Sequence, residues 1–315
     1  MKYFTVKGIH GDFEISKVAF GTGSEIKNLS RGERFELFDY YYEMGGNVLD
    51  TAPGYCGGTS EKDIGAWMKE RGNRDKIRIS TKACHAFAGE PSRLTLKDML
   101  EDLNLSLSQL DTDYIDLFWI HNDDPEKSVE EIIDAVNEVV ATGKVNAVGC
   151  SNWTIDRIAA ANKYAKENGK VGFFANQSQW SLAVPNPDYA VAYNAIVMDE
   201  KSYNWYLNND VAVFAFSSVA QGFFSIVEKG GVEALSERSR GFWLSDDNLV
   251  RLEHVKDFMK KNNVSAAGAA LGYITNNRLP GVAITSATGK EILKETLTAA
   301  DTTMTADEAD ALHTV

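Results

Sequence analysis

Cysteine is scarce in this sequence. Cys56, Cys84 and Cys150 are an odd number with no C-x-x-C spacing among 315 residues. That argues against a disulfide framework or a structural zinc site, and it fits a reducing, cytosolic setting. Long apolar runs are absent too: none approaches the roughly 20 residues of a membrane-spanning helix. The opening MKYFTVKGIHGDFEIS alternates apolar and polar residues instead of setting an apolar run behind a basic stretch, so no signal peptide is expected. Positive charge is in short supply. Thirty-two Lys and Arg face 45 Asp and Glu, a formal charge of −13, whereas nucleic acid phosphates and anionic membrane surfaces both call for a basic footprint. A small molecule or a protein is the expected partner. No G-x-G-x-x-G follows a strand, which excludes a Rossmann domain as the means of binding a dinucleotide.

What the sequence does have is an ordinary globular composition, 44% hydrophobic and 24% charged, and a repeating order of elements. Short β-rich apolar runs occur at 17–22, 47–52, 77–82, 114–121, 145–152, 172–178, 211–218 and 281–286. Between them, stretches such as 32–44, 94–107, 128–141 and 154–167 carry apolar residues at helical period. Most steps from strand to strand are about 25 to 40 residues, the size of a right-handed βαβ unit, and eight such units close a (β/α)8 barrel. The step from the seventh strand to the eighth is longer and has room for an extra helix at 246–261 before one near 266–276. Ahead of the barrel, Tyr3 to Val6 and Phe13 to Ile15 flank a Gly-containing turn and read as a hairpin that plugs or decorates it. No Pro/Gly/Ser linker divides the chain, so residues 1–315 are expected to form one domain.

In such a barrel the chemistry gathers at the C-terminal ends of the strands. There the second strand ends in Asp50 with Tyr55 on the next loop, the third in Lys82, the fourth in His121, the fifth in Ser151-Asn152, the sixth in Gln177 and the seventh in Ser217. Taken singly, each has a plain reading as a cap, loop aromatic or solvated strand end. Taken together they describe a metal-free proton donor. Asp50 and Lys82 on neighbouring strands can pair, and an ammonium beside Tyr55 favours the phenolate, so Tyr55 is expected to gain acidity. A neutral His121 can donate a hydrogen bond to the same substrate oxygen.

From Gly21-Thr22-Gly23 to the helix near Gly289 the chain resembles the aldo-keto reductase family. DTAPGYCGGTSE, ISTK and YIDLFWIH match the family's catalytic tetrad at Asp50, Tyr55, Lys82 and His121. The resemblance implies nicotinamide binding by Asp50, by Ser151 and Asn152 in GCSNW and by Gln177 in NQSQW, with Trp180 as the aromatic stacked on the ring. It extends to Gly21, Thr22 and Gly23, and to a phosphate-binding loop at Phe216, Ser217, Ser218, Ala220 and Gln221. Phosphate contacts are implied at Thr285, Ser286 and Thr288 and an adenine contact at Glu295, while Lys290 near the helix start can reach the same phosphate by its length; the hydroxyls and helix start of TSATGKEIL also suit an anion on their own account. Departures are Ser218 in place of a usual proline, Thr285-Ser286 for Pro-Gly, Thr288 for a Lys or Arg, and Thr296 for Asn.

The implied activity is reversible NAD(P)H-dependent reduction of an aldehyde or ketone, with NADP(H) expected over NAD(H) because Lys290 can reach a 2′-phosphate. The rival readings are a nicotinamide-binding regulatory subunit without turnover and a metal-dependent barrel isomerase; HNDD at 121–124, which could suggest a metal site, reads as a solvated loop. Substrate choice is expected to rest on loops 84–93, 122–127, 179–210 and 219–245.

Overall fold

The computed structural model describes residues 1–86 and 91–315; residues 87–90, in the expected substrate loop 84–93, lie outside the described residues. Strands β1 (Tyr3–Val6) and β2 (Phe13–Ser16) pair antiparallel as a hairpin. Eight more follow: β3 (Val18–Gly21), β4 (Val48–Asp50), β5 (Arg78–Ala83), β6 (Ile115–Ile120), β7 (Val145–Ser151), β8 (Ala175–Gln179), β9 (Ala212–Phe216) and β10 (Gly281–Thr285). Each pairs parallel with its sequence neighbour and β10 returns to β3, so the sheet closes into the expected barrel.

Single helices make the crossings from β3 to β8: α1 (Arg31–Glu43), α2 (Ser60–Arg71), α3 (Leu96–Leu110), α4 (Val129–Ala141) and α5 (Ile155–Glu167). Between β8 and β9 lie α6 (Pro187–Tyr193) and α7 (Glu200–Leu207). The connection from β9 to β10 carries α8 (Phe223–Gly230), α9 (Glu237–Trp243), α10 (Asp246–Asn262) and α11 (Ala266–Thr275). The expected extra helix is therefore present as α10. After β10 come α12 (Lys290–Ala299) and α13 (Ala306–His313).

Local chemistry sets the helix starts. Ser30 accepts from the Glu33 amide while the Glu33 carboxylate takes the Ser30 amide in return, and Ser128, Thr154, Ser245 and Ser265 cap α4, α5, α10 and α11 in the same way from one side. Each cap is worth about 1 kcal/mol because it satisfies an amide that the helix leaves open.

Two apolar layers result. Inside the barrel, Ala19, Val48, Leu117, Trp119, Ala175 and Phe214 pack with Val6 and Ile15 of the hairpin, which identifies the hairpin as the plug at the N-terminal end. Trp119 is the bulk of this filling, 4.8 Å from Phe214 and 5.5 Å from Phe174 between ring centres. The facing position is glycine for a steric reason, since a Cβ on Gly149 would lie 2.4 Å from the Trp119 ring. Outside, Phe20, Phe38 and Trp67 join sheet to helices. Trp153 and Trp243 are wholly buried in this outer layer.

Candidate active site

Asp50 ends β4 at the open end of the barrel, and its carboxylate accepts from three side chains. Oδ1 takes the Lys82 ammonium at 2.6 Å, and Oδ2 takes the Ser80 hydroxyl and the Gln177 amide, each at 2.7 Å. Lys82 also donates to the Thr51 carbonyl at 2.9 Å. Ser80 accepts in turn from the Trp119 indole at 2.8 Å, so hydrogen bonds run from the barrel core to the carboxylate. Asp50, Lys82 and Gln177 are all buried. A buried ion pair persists only when its remaining polar valences are also satisfied, and here Ser80, Gln177 and the Thr51 carbonyl satisfy them.

Tyr55 begins the turn that leads to α2. Its amide donates to Ala52 and its carbonyl accepts from Gly58, while Cys56, Gly57 and Gly58 all take positive φ, between 53° and 82°. This tight path sets the Tyr55 ring centre 4.7 Å from Lys82 Nζ. Burial pushes the phenol above its ordinary value, and the Lys82 charge pulls it back only in part. The expected net gain in acidity is thus reversed, because desolvation outweighs one charge. For Lys82, burial alone would lower the ammonium, but Asp50 and Tyr55 together hold it above its usual value. At neutral pH the pair is ammonium and neutral phenol.

His121 follows directly on β6, its ring 6.0 Å from that of Tyr55 at 70° and 4.5 Å from that of His85. Burial first, then Lys82 and His85, push the imidazole well below its ordinary value, so it is neutral. Its Nδ1 is buried and has no hydrogen-bond partner among the described residues.

The expected cofactor residues ring the same end. Gly21 pairs with Asp50 across β3 and β4, Thr22 donates to the Asp50 carbonyl at 2.9 Å, and Gly23 opens the next turn. Ser151 ends β7; Asn152 takes φ 57°, with its side-chain oxygen accepting from the Ile196 amide. Phe216 is the last residue of β9. Beyond it Ser217, Ala220, Gln221 and Gly222 take positive φ, and the Ala220 and Gly222 amides close tight turns on the Ser217 and Val219 carbonyls. Thr285 Oγ1 and Ser286 Oγ are buried without partners among the described residues just ahead of α12, whose cap, Gly289, supplies no side chain to its open amides. Unsatisfied hydroxyls beside an uncapped helix start fit a phosphate group.

One expectation is corrected. Trp180 is not at the mouth. Along β8 the inward side chains are Ala175, Gln177 and Gln179, so Trp180 falls on the outer face, its ring 6.3 Å from Tyr203 of α7 and 5.7 Å from Tyr273 of α11. Ser218 is wholly buried and its hydroxyl is committed to the Ile284 carbonyl at 2.7 Å, which leaves it only backbone to offer. Lys290 lies exposed with Nζ 5.5 Å from the Tyr40 ring centre, Glu295 is paired with Lys229 at 2.8 Å, and Thr288 is exposed.

Ser80 was missed from the sequence, although it stands two residues before Lys82 on one strand and so shares its face. In HNDD, Asp123 is held by Arg157 at 2.8 and 2.9 Å, and among the described residues no three His, Cys, Asp or Glu side chains cluster as a metal site. No described helix is long and apolar enough to cross a membrane.

Norsolorinic acid reductase B of Aspergillus parasiticus is 35% identical over 179 residues, covering 54% of this chain and 47% of that protein. Aryl-alcohol dehydrogenase [NADP(+)] of Phanerodontia chrysosporium is 35% identical over 176 residues, 52% of this chain and 45% of that one. A probable aryl-alcohol dehydrogenase of Saccharomyces cerevisiae is 36% identical over 164 residues, 49% and 50%. The chain thus spans about half the length of the curated relatives it matches. The family description "Aldo/keto reductase family" matches residues 17–315. Because that match runs from the threshold of β3 to Val315, the chain belongs to the aldo/keto reductase family.

Proposed function

We propose that residues 1–315 act as one unit, a cytosolic NADP(H)-dependent reductase of aldehydes or ketones that also oxidises the corresponding alcohols. The observation that carries this reading is the contact of Lys82 with both Asp50, at 2.6 Å, and the Tyr55 ring, at 4.7 Å, beside a neutral His121. The dinucleotide, when bound, supplies the hydride.

The chain's own residues do the rest. Tyr55 gives its phenolic proton to the substrate oxygen as negative charge develops there, and Lys82, held as an ammonium by Asp50, steadies the phenolate left behind. His121 directs a hydrogen bond at the same oxygen and, being neutral, does not compete as an acid. Asp50 fixes Lys82 in place and is itself held by the Ser80 and Gln177 donors. Ser151, Asn152 and Gln177 would hold the nicotinamide amide. Phe216, on the inward face of β9 with Ala212 and Phe214, would lie against the ring in the role first assigned to Trp180. The left-handed run after β9, with Thr285 and Ser286, would hold the phosphates.

Two relatives bear names of aryl-alcohol dehydrogenases, which makes aromatic aldehydes the first substrates to try. The test is loss of reduced-nicotinamide absorbance with a panel of aryl aldehydes, in wild type and Tyr55→Phe. Tight NADPH binding without turnover across the panel would replace this reading by the regulatory one.

A further inference from the structure

A second cavity, of about 650 Å³, opens outside the barrel between the loop after β8, the start of α7, α11 and α13. Its aromatic walls are Trp180, Tyr203, Tyr273 and His313. The Trp180 and Tyr273 rings meet at 67°, and His313 lies parallel to Tyr273 at 5.5 Å. Trp180 and Tyr273 are nearly covered, at 2% and 4% exposure, so the half-buried Tyr203 and His313 present most of the accessible ring surface, in a cavity whose volume is typical of small-molecule sites.

The polar groups give the cavity a sign. Asp199, Glu200 and Asp310 line it, and no Lys or Arg does among the described residues. Asp199 caps α7 through the Ser202 amide, and Asp310 is shared with Arg278 at 3.1 Å, but Glu200 has no ion-pair partner among the described residues. Burial, followed by the charge of Arg251, holds the His313 imidazole down at about 4. His313 therefore adds an uncharged ring. Arg251 itself is turned to the His313 carbonyl and the Asn248 side chain. Tyr273 is 4% exposed and accepts from the Trp180 indole at 3.3 Å, while its own proton meets no acceptor among the described residues.

We propose that this cavity is a binding site for a small organic cation, an ammonium group carried on an aromatic or alkyl body. Aromatic faces attract a cation through their quadrupoles, and quaternary ammonium groups are held by cages of this kind. The carboxylates at the rim add attraction, and the net charge of −13 draws cations toward the molecule as a whole. An anion would meet the carboxylates of Asp199, Glu200 and Asp310 at the rim, so the site is not a second seat for a dinucleotide. Nothing in the proposal depends on turnover at the barrel mouth.

The experiment is saturation-transfer NMR on the full chain with benzyltrimethylammonium as probe and neopentylbenzene, its uncharged carbon isostere, as control. The cation is expected to bind at least about tenfold more tightly than the isostere, and both Tyr203→Leu and Glu200→Gln should weaken it by about three- to tenfold. Saturating NADPH should leave its binding unchanged. Equal binding of the isostere, no binding of either compound, or full affinity in both variants would overturn the proposal. So would displacement of the probe by NADPH, which would put it in the barrel mouth. Glu200 is exposed at the start of α7, so Glu200→Gln reads the charge without disturbing the core.

Discussion

Asp50 is the residue on which the others depend, because one carboxylate fixes the charge state of Lys82 and, through it, the acidity of Tyr55. Replacing Tyr55 by Phe should leave NADPH affinity unchanged and lower kcat by roughly 10² to 10⁴, the usual worth of a positioned general acid. Lys82→Met should do comparable damage, since it leaves Asp50 buried with only the Ser80 and Gln177 donors. The double variant should lose far less than the two losses combined, as residues acting together are not additive. Single-turnover rates of the four proteins decide this, and additive losses in log rate would mean separate roles. That Asp50, Tyr55, Lys82 and His121 gather at one end of the barrel was legible in the sequence, because three of them fall at ordered strand ends and Tyr55 on the loop after the first. The Tyr55 shift was not, because desolvation depends on what covers the ring, and strand spacing carries no record of that.

At the scale of single elements, α2 ties the Tyr55 turn to the strand that bears Lys82. Glu61 in its first turn is fully buried and accepts from Thr81 at 2.6 Å, and burial pushes its carboxyl up to about 7. Below the unfolded value of a glutamate both states hold the proton and stability is at its fullest. As pH rises toward 7 the unfolded chain ionises first and stability falls, by up to about 3 kcal/mol once the folded carboxyl has ionised too. Glu61→Gln keeps an acceptor for Thr81 and removes the titration. Its urea midpoint should therefore exceed that of wild type at pH 8, with the advantage vanishing as pH approaches about 4. At α12 the exposed Thr288 and the open first turn frame the cofactor preference. Thr288→Arg should raise the NADPH-over-NADH ratio of kcat/KM by about tenfold, and Lys290→Ala should lower it, provided Lys290 leaves Tyr40 when the ligand arrives. Strand period also explains the misplaced aromatic. Counting residues past Gln177 leads to Trp180, whereas counting in twos along β8 and β9 leads to Gln179 and Phe216, which are register partners.

For the whole molecule, the barrel filling and the active end are one structure, joined through Trp119, Ser80 and Asp50. Gly149→Ala would force a Cβ into the Trp119 ring and toward the Ala175 carbonyl, and such overpacking costs about 1 to 3 kcal/mol. Its urea midpoint should fall and its kcat with it, because a displaced Trp119 lets go of Ser80; an unchanged kcat at lower stability would separate core from site. The architecture itself was readable from eight apolar runs at regular spacing, each confined to one strand. The outer cavity was not, since its walls come from four segments far apart in the chain. The closure of β10 on β3 has a further effect during synthesis. The first barrel strand leaves the ribosome with one edge that nothing can occupy until residues 281–285 emerge, some 260 residues later. At about 5 to 20 residues per second that wait is roughly 13 to 50 seconds. Through that interval the nascent sheet carries two raw edges, at β3 and at its newest strand, each able to recruit a neighbouring chain. Production of this protein in cells is therefore a race between elongation and association, one in which chaperone supply and translation speed count as much as the stability of the finished barrel.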